Sequence, residues 1–446
     1  MSQQLSSDDL RGDVLEPGDD GYAEASTTVF GAGAPALVVR PRDAGGVAIA
    51  IGYARNAGMV LSVRSGGHSV LGSGTNTGGL VLDLAHLDAV EVVDRAKRIV
   101  SVGGGANWGQ VASTLAPYGL GLTAGDTADV GVGGLTLGGG MGWMVRKYGL
   151  AIDNLVAAQI VTADGRTLEA SENEHADLFW AIRGGGGNFG VVTRFDFVAQ
   201  SVETVQFGTI TYQPDDPVGL IKGWRDHMRT APEELTTIMT LMPGMFGMPA
   251  SVMVTLCYAG DDADFDVAVA GLLSLGVVTE NDVRPQPYVD ILEDAAMPPG
   301  MRVVARNTLV PSVGDDVIDA IMAVYQGETP TMTSLRSLGG AFGRMAPSDT
   351  AFAHRDAEAM VFCGAVLPTD ATEDDVDRAL VPWSGVERCG VGAYLNFHGS
   401  ATPDDLLAAY PADTYDRLSA VKSLYDPDNT FARNHNIPPR SDDQIR

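Results

Sequence analysis

The chain has 446 residues, with 29 Lys+Arg against 57 Asp+Glu and a formal net charge of −28. A nucleic-acid partner is excluded, because phosphate binding needs a basic face. At 45% hydrophobic and 19% charged residues the chain is not disordered, and its three cysteines are too few for a disulfide framework of this length. We read Cys257, Cys363 and Cys389 as buried small apolar residues. The first twenty residues are polar and acidic and lack the basic and apolar regions of a signal peptide. No run of about 18 apolar residues suggests a membrane span. The expectation is a soluble, cytoplasmic protein of two or three domains.

In chain order, strands are predicted at 37–39, 59–63, 79–83, 90–93 and 99–103. A helix is predicted over 44–58, where Val47, Ala50, Ile51 and Ala54 repeat at helical spacing. A second is predicted over 108–118, with Asn107 as its N-cap. A strand over 155–162 leads through a turn at 163–166 into 167–170. Beyond residue 200 strands are predicted at 206–212, 236–242, 251–258, 360–367 and 392–397. They alternate with helices at 217–230 and 262–274, which reads as an antiparallel sheet with helices on one face. A last helix covers 415–425, where Leu418, Val421, Leu424 and Tyr425 are periodic, and Asp426-Pro427 ends it.

Glycine is the compositional outlier: 55 residues, roughly 12% where about 7% is usual. About half lie between Gly66 and Gly190, in bursts beside the predicted strands. Such bursts either make tight turns or let backbone N–H groups approach phosphate oxygens. Gly185-x-Gly187-x-x-Gly190 matches a dinucleotide fingerprint, but Val191–Phe197 alternates like a strand where a helix is required. A Rossmann site is therefore rejected, and no P-loop, HExxH or CxxC occurs. His68, within Arg64-Ser65-Gly66-Gly67-His68-Ser69, reads as a hydrogen-bonding residue, a base or a nucleophile.

The Arg64–Ser69 motif, Thr123-Ala124-Gly125, Val130 through Gly142, Asp177 through Thr193, and Tyr425 through Phe431 together resemble the FAD-linked oxidases of the vanillyl-alcohol oxidase type. The closer likeness is to the berberine-bridge-enzyme group, with its nicotine-oxidising bacterial members. The resemblance is specific over 35–200 and 410–437 and weak between them.

It implies an α+β fold: a PCMH-type FAD-binding domain over 1–200, in subdomains of about 1–95 and 96–200. A substrate domain at 201–405 follows, with an antiparallel sheet covered by helices, and 406–446 completes the FAD domain. It implies that FAD is held by Arg64, Ser65, Gly66, Gly67, Ser69, Gly125, Thr127, Val130, Gly131, Gly133, Gly134, Gly138, Gly142, Val192, Asn434 and Asn436. By the same likeness His68 is bonded covalently to the flavin 8α-methyl carbon. Many relatives carry a second, cysteinyl bond at the position of Thr127, so one link is expected here. Val130 borders the oxygen side of the flavin, or simply packs.

The resemblance also implies hydride transfer from a small organic substrate to FAD, with reoxidation by O2 to H2O2. The alternatives are a dehydrogenase with another acceptor, or a flavin-binding protein without turnover. Tyr394 and Asn396, in a predicted strand, are expected to face the flavin together, with Tyr394 as a possible base. Tyr148 and Asn154 are further active-site candidates, and His354, His398 and Glu358 are weaker ones. The substrate expected is an amine, alcohol, sugar or secondary metabolite. Met242, Met245, Phe246 and Met248 are candidates for an apolar pocket wall or for core.

Overall fold

Valines and leucines at 37–39 and 80–82 are almost wholly buried, as the centre of a parallel sheet requires. In this computed structural model, which describes residues 7–244, 247, 249–294 and 300–440, they form the middle of a four-stranded sheet. Leu37–Arg40, Leu80–Asp83 and Leu61–Arg64 run parallel, and Asp13–Leu15 pairs antiparallel at one edge. The helix Ala44–Asn56 buries Val47, Ala50, Ile51 and Ala54. Its first turn is capped by the Asp43 carboxylate, which accepts from Gly46 N at 2.7 Å. The strand Leu61–Arg64 delivers the chain directly into the Ser65–Ser69 glycine burst.

A second, five-stranded antiparallel sheet has the order Thr167–Ser171, Leu155–Val161, Val191–Val198, Ile99–Gly103, Val90–Asp94. Val191–Val198 lies between two of these strands, so no helix follows the Gly185–Gly190 run. Asn107 and Gln110 form a reciprocal capping box that starts the helix Trp108–Leu115. The predicted helix shortens there, because Pro117 supplies no N–H and Ala116–Tyr118 tightens into a 3-10 turn.

The third sheet is eight-stranded and antiparallel. Its path runs Val278–Asn281, Thr204–Tyr212, Ser251–Tyr258, Leu235–Met242, Thr331–Ser337, Ala359–Pro368, Met301–Val310, and Arg284–Pro287 pairs with Thr204–Tyr212 as well. One face packs beneath the helices Pro217–Met228 and Asp315–Tyr325, with Trp224, Ile318, Ile321 and Val361 in a common core. The other face is half-exposed at Thr240, Met332 and Ser334. Met242 ends a strand of this sheet, while Met245, Phe246 and Met248 lie outside the described residues.

Two further predicted elements differ from what is observed. The helix expected over 262–274 is broken into two 3-10 turns and the short helix Phe265–Val269. Gly271 interrupts it, at a point where a Cβ would sit 2.2 Å from His227 Nδ1. The strand expected over 392–397 pairs only at Gly392, with Leu309, and Leu395–Phe397 is a 3-10 turn. The cause is Asn307. Its side chain accepts from Tyr394 N at 2.7 Å and donates to Tyr394 O at 2.8 Å, taking the groups a neighbouring strand would have used.

The final helix, Ala412–Tyr425, returns to the first two sheets. Lys422 is fully buried there and donates from Nζ to Asp426 Oδ2 at 2.7 Å, Asn188 O at 2.8 Å and Phe431 O at 3.1 Å. Among the described residues no helix is long and apolar enough to cross a membrane.

Candidate cofactor and active site

Two glycine bursts meet backbone to backbone. A Cβ on Gly66 would lie 2.3 Å from Gly131 N, and one on Gly131 would lie 2.1 Å from Gly66 N. Any side chain at either position would push the loops apart. Ser65 rivets the contact: its Oγ donates to Gly104 O at 2.7 Å and accepts from Gly133 N at 3.2 Å.

The joined loops form one side of a cavity of about 580 Å³. The 184–190 burst, the 431–435 segment and the open face of the third sheet supply its other sides. Arg64, Ser65, Gly66, Gly67, His68 and Ser69 line it from the first loop. Gly125, Thr127, Val130, Gly131, Gly133, Gly134 and Gly138 line it from the second. Val192, Asn434, Tyr394 and Asn396 complete the set that the structure gathers.

Four expected residues stand outside the wall. Gly142 backs the second loop, where a Cβ would fall 2.0 Å from Ala124 O. The Asn436 side-chain oxygen is buried without a protein donor, behind the wall that Asn434 reaches. Tyr148 packs against the core of the second sheet, with Lys147 Nζ 5.3 Å from its ring centre. Asn154 is a local staple: Nδ2 donates to Tyr148 O at 2.9 Å and Leu150 O at 3.1 Å, and Oδ1 accepts from Gln200 at 2.7 Å. Both amide donors are spent on the turn and the oxygen is engaged by Gln200, so Asn154 is a structural tie here.

The weaker candidates are also absent from the wall. Glu358 pairs with Arg229 and accepts from Val313 N, contacts that hold its carboxyl below the ordinary range against the opposing effect of burial. His354 Nε2 meets the carbonyls of Ala408 and Ala409, and burial pulls its pKa down. His398 is buried against Asp405, Nε2 to Oδ1 2.9 Å. Cys257 and Cys363 are buried and Cys389 half-buried, and burial pushes all three thiols up.

Inside the wall the electrostatics are specific. His68 is mostly buried, and its Nε2 lies 3.2 Å from Asp129 Oδ2. Burial lowers its pKa below the ordinary histidine value, with Asp129 opposing, so the ring is neutral at pH 7. The Tyr394 oxygen accepts from Asn396 Nδ2 at 2.8 Å, Gly140 N at 3.1 Å and Met141 N at 3.3 Å. Burial nevertheless raises its pKa above that of free tyrosine. Tyr394 is thus a protonated strut for the Gly138–Met141 turn, and this geometry does not favour it as a base. Asp126 also lines the cavity, gripped by Arg336 from the third sheet and by Thr127 Oγ1 at 3.2 Å.

The residues fit FAD. Gly134 lies on the wall with no atom within 4 Å of an added Cβ, so any side chain there would enter the cavity. The Asn434 Oδ1 is buried with no protein donor. Arg64 and Arg433 bring positive charge, and the glycine loops bring backbone N–H groups, as a pyrophosphate requires. Sequence reasoning missed Arg433, His435, Asp126, Met332 and Phe362, all on the wall. Arg433 and His435 flank the chosen Asn434 and could have been found with it; Met332 and Phe362 offered only strand alternation.

A family model described as FAD binding domain matches residues 35–171, and one described as berberine and berberine like matches 393–438. The chain is 31% identical to (R)-6-hydroxynicotine oxidase of Paenarthrobacter nicotinovorans over 98% of this chain and 99% of the relative. The chain belongs to the berberine-bridge-type FAD-linked oxidases. Its fold superposes on the 6-hydroxy-D-nicotine oxidase of Arthrobacter nicotinovorans with a TM-score of 0.87 at 28% identity, covering 97% of this chain and 98% of that one. It is also 26% identical to a chitooligosaccharide oxidase of Gibberella zeae over 91% of this chain and 88% of the relative. This member of the family is an FAD-dependent oxidase with the mixed α/β architecture of the PCMH-type enzymes.

Proposed function

We propose that this oxidase carries FAD through a single covalent bond to His68 and oxidises a compact, largely apolar amine or alcohol, with O2 as the electron acceptor. The observation that carries the reading is the composition of the wall. His68 stands on it, Thr127 occupies the place of a second linkage, and none of the three cysteines reaches it. FAD, when bound, supplies hydride acceptance at the flavin and electron delivery to O2.

The protein's own share is placement. The joined Ser65–Ser69 and Gly125–Gly138 loops hold the cofactor, and Arg64 and Arg433 balance its phosphates. Val303, Ala305, Met332 and Phe362 present an apolar surface from the open sheet face. That surface suits a flat hydrocarbon body and offers few partners to a string of sugar hydroxyls. Asn396 donates to Leu135 O at 2.9 Å as well as to Tyr394, so it fixes the loop that faces the substrate. A neutral amine needs no protein base, which agrees with a protonated Tyr394.

The attachment is tested by acid precipitation. The wild-type pellet stays yellow, His68→Ala releases its flavin, and Thr127→Ala keeps it. The substrate is tested by anaerobic bleaching with panels of secondary amines, aromatic alcohols and oligosaccharides, followed by air and a peroxide assay. Bleaching by oligosaccharides alone overturns the substrate class. Slow reoxidation in air with fast dye reduction overturns O2 as the acceptor. A flavin that no substrate bleaches supports a protein without turnover.

A further inference from the structure

The covalent bond proposed above needs a histidine of one tautomer, neutral and held still. We propose that Asp129 is the positioning residue that prepares His68 for attachment, holding the proton on Nε2 so that Nδ1 carries the attacking lone pair. This rests on the proposed covalent link.

The geometry is built for it. Asp129 sits between two residues whose backbones are tied to different elements. Ala128 N donates to Glu293 O at 2.9 Å, and Ala128 O accepts from Gly109 N at 2.8 Å. Val130 O accepts from Trp108 N at 3.1 Å. The Asp129 backbone therefore has little freedom, and its carboxylate meets Nε2 at 3.2 Å. His68 is fixed from the other side, because Gly66 in its loop abuts Gly131. The two residues belong to loops that are interlocked, so the pair is set before any cofactor arrives.

The charges around the ring agree. Burial keeps His68 neutral, Asp129 and Asp294 favour positive charge on it, and Arg64 opposes. A neutral ring is the nucleophile, while the two carboxylates stabilise the cation that develops when Nδ1 bonds to carbon. The step balances as follows. A C–N bond forms between Nδ1 and the flavin 8α carbon, and one C–H bond of that methyl group breaks, its proton passing to water. The Nε2 proton leaves through Asp129. Two electrons remain on the flavin ring system, and O2 removes them with two protons as H2O2.

The test uses the full-length chain, produced flavin-free and mixed with FAD, with covalent attachment followed by the intact mass of the denatured protein. Asp129→Asn should bind FAD as fully as wild type yet attach it at least about tenfold more slowly, one decade being about 1.4 kcal/mol of barrier. Asp129→Glu should recover much of the rate. The rise of the wild-type rate with pH reports deprotonation of His68. Removing the carboxylate should move that rise to lower pH, since Asp129 favours the protonated ring. Attachment by Asp129→Asn at the wild-type rate overturns the proposal. So does equal loss of bound and attached FAD without recovery by Asp129→Glu, which marks a structural role. Wild-type protein that never acquires the mass of FAD overturns the covalent reading itself, a result distinct from either.

Discussion

Replacing Lys422 with methionine should loosen the last wall of the cofactor cavity. Lys422 and Asp426 are both 0% exposed, and Lys422 spends its three protons on Asp426, Asn188 and Phe431. Asp426 in turn accepts from Thr430 N and Phe431 N, each at 2.8 Å. Methionine keeps the volume but leaves the buried Asp426 carboxylate without its cation and Asn188 O without its donor, while Phe431 O keeps Asn434 Nδ2 at 3.2 Å. Breaking such a pair from one side costs about 3–5 kcal/mol. Asn188 also binds His435 O and Ile437 N, so the loss falls on the segment that carries Arg433, Asn434 and His435 to the cavity. Amide hydrogen exchange over 412–437 reads this as a local opening. At 1.4 kcal/mol per decade, exchange there should accelerate by roughly two to three and a half decades, with the third sheet unchanged. The double variant Lys422→Met/Asp426→Asn should lose less than the sum of the singles. Exchange within about threefold of wild type in Lys422→Met would refute the reasoning.

Gly134→Leu should fold normally, since no atom opposes its Cβ, yet weaken FAD binding roughly 5- to 150-fold by a clash of about 1–3 kcal/mol. The flavin-to-protein ratio of the purified variant, beside an unchanged circular-dichroism spectrum, checks it. Asn307→Leu leaves the buried N–H of Tyr394 without its partner, while the C=O keeps only Phe397 N at 3.1 Å. It should cost about 1–3 kcal/mol and lower turnover through Tyr394 and Asn396, checked by chemical denaturation and steady-state kinetics. His435 is half-buried on the wall, and desolvation depresses its pKa to about 4 from the ordinary 6.5. Between those values the unfolded chain binds one more proton than the folded one. His435 should therefore make stability fall as pH drops from 6.5 toward 4, by about 1.4 kcal/mol per unit. His435→Gln should flatten that slope in pH-dependent unfolding.

The legible parts of this protein were those encoded locally. Asn107 announced one helix because caps act within three residues, and the spacing of Val47, Ala50, Ile51 and Ala54 announced another. The strand after Gly190 was readable from alternation, which was enough to discard a dinucleotide fingerprint. The glycine bursts signalled tight turns or close backbone approach, which Gly66 and Gly131 make to one another, and the family likeness assigned those loops to FAD. What stayed hidden was set by distant partners. The strand expected at 392–397 failed because Asn307, far away in sequence, supplies hydrogen bonds that imitate a neighbouring strand. Tyr148 and Asn154 lie close to the cofactor loops in sequence, but Tyr148 packs on the core and the Asn154 amide is held by its own turn and by distant Gln200. The grip of Arg336 on Asp126 ties the third sheet to the second glycine loop, and neither residue advertised it.

The cavity also fixes an order of events during synthesis. The Ser65–Ser69 loop emerges from the ribosome early, whereas Phe431, Arg433, Asn434 and His435 follow more than three hundred residues later. Until Lys422 locks onto Asn188, the flavin loops face open water on that side. Cofactor capture therefore belongs after translation of the 412–437 segment.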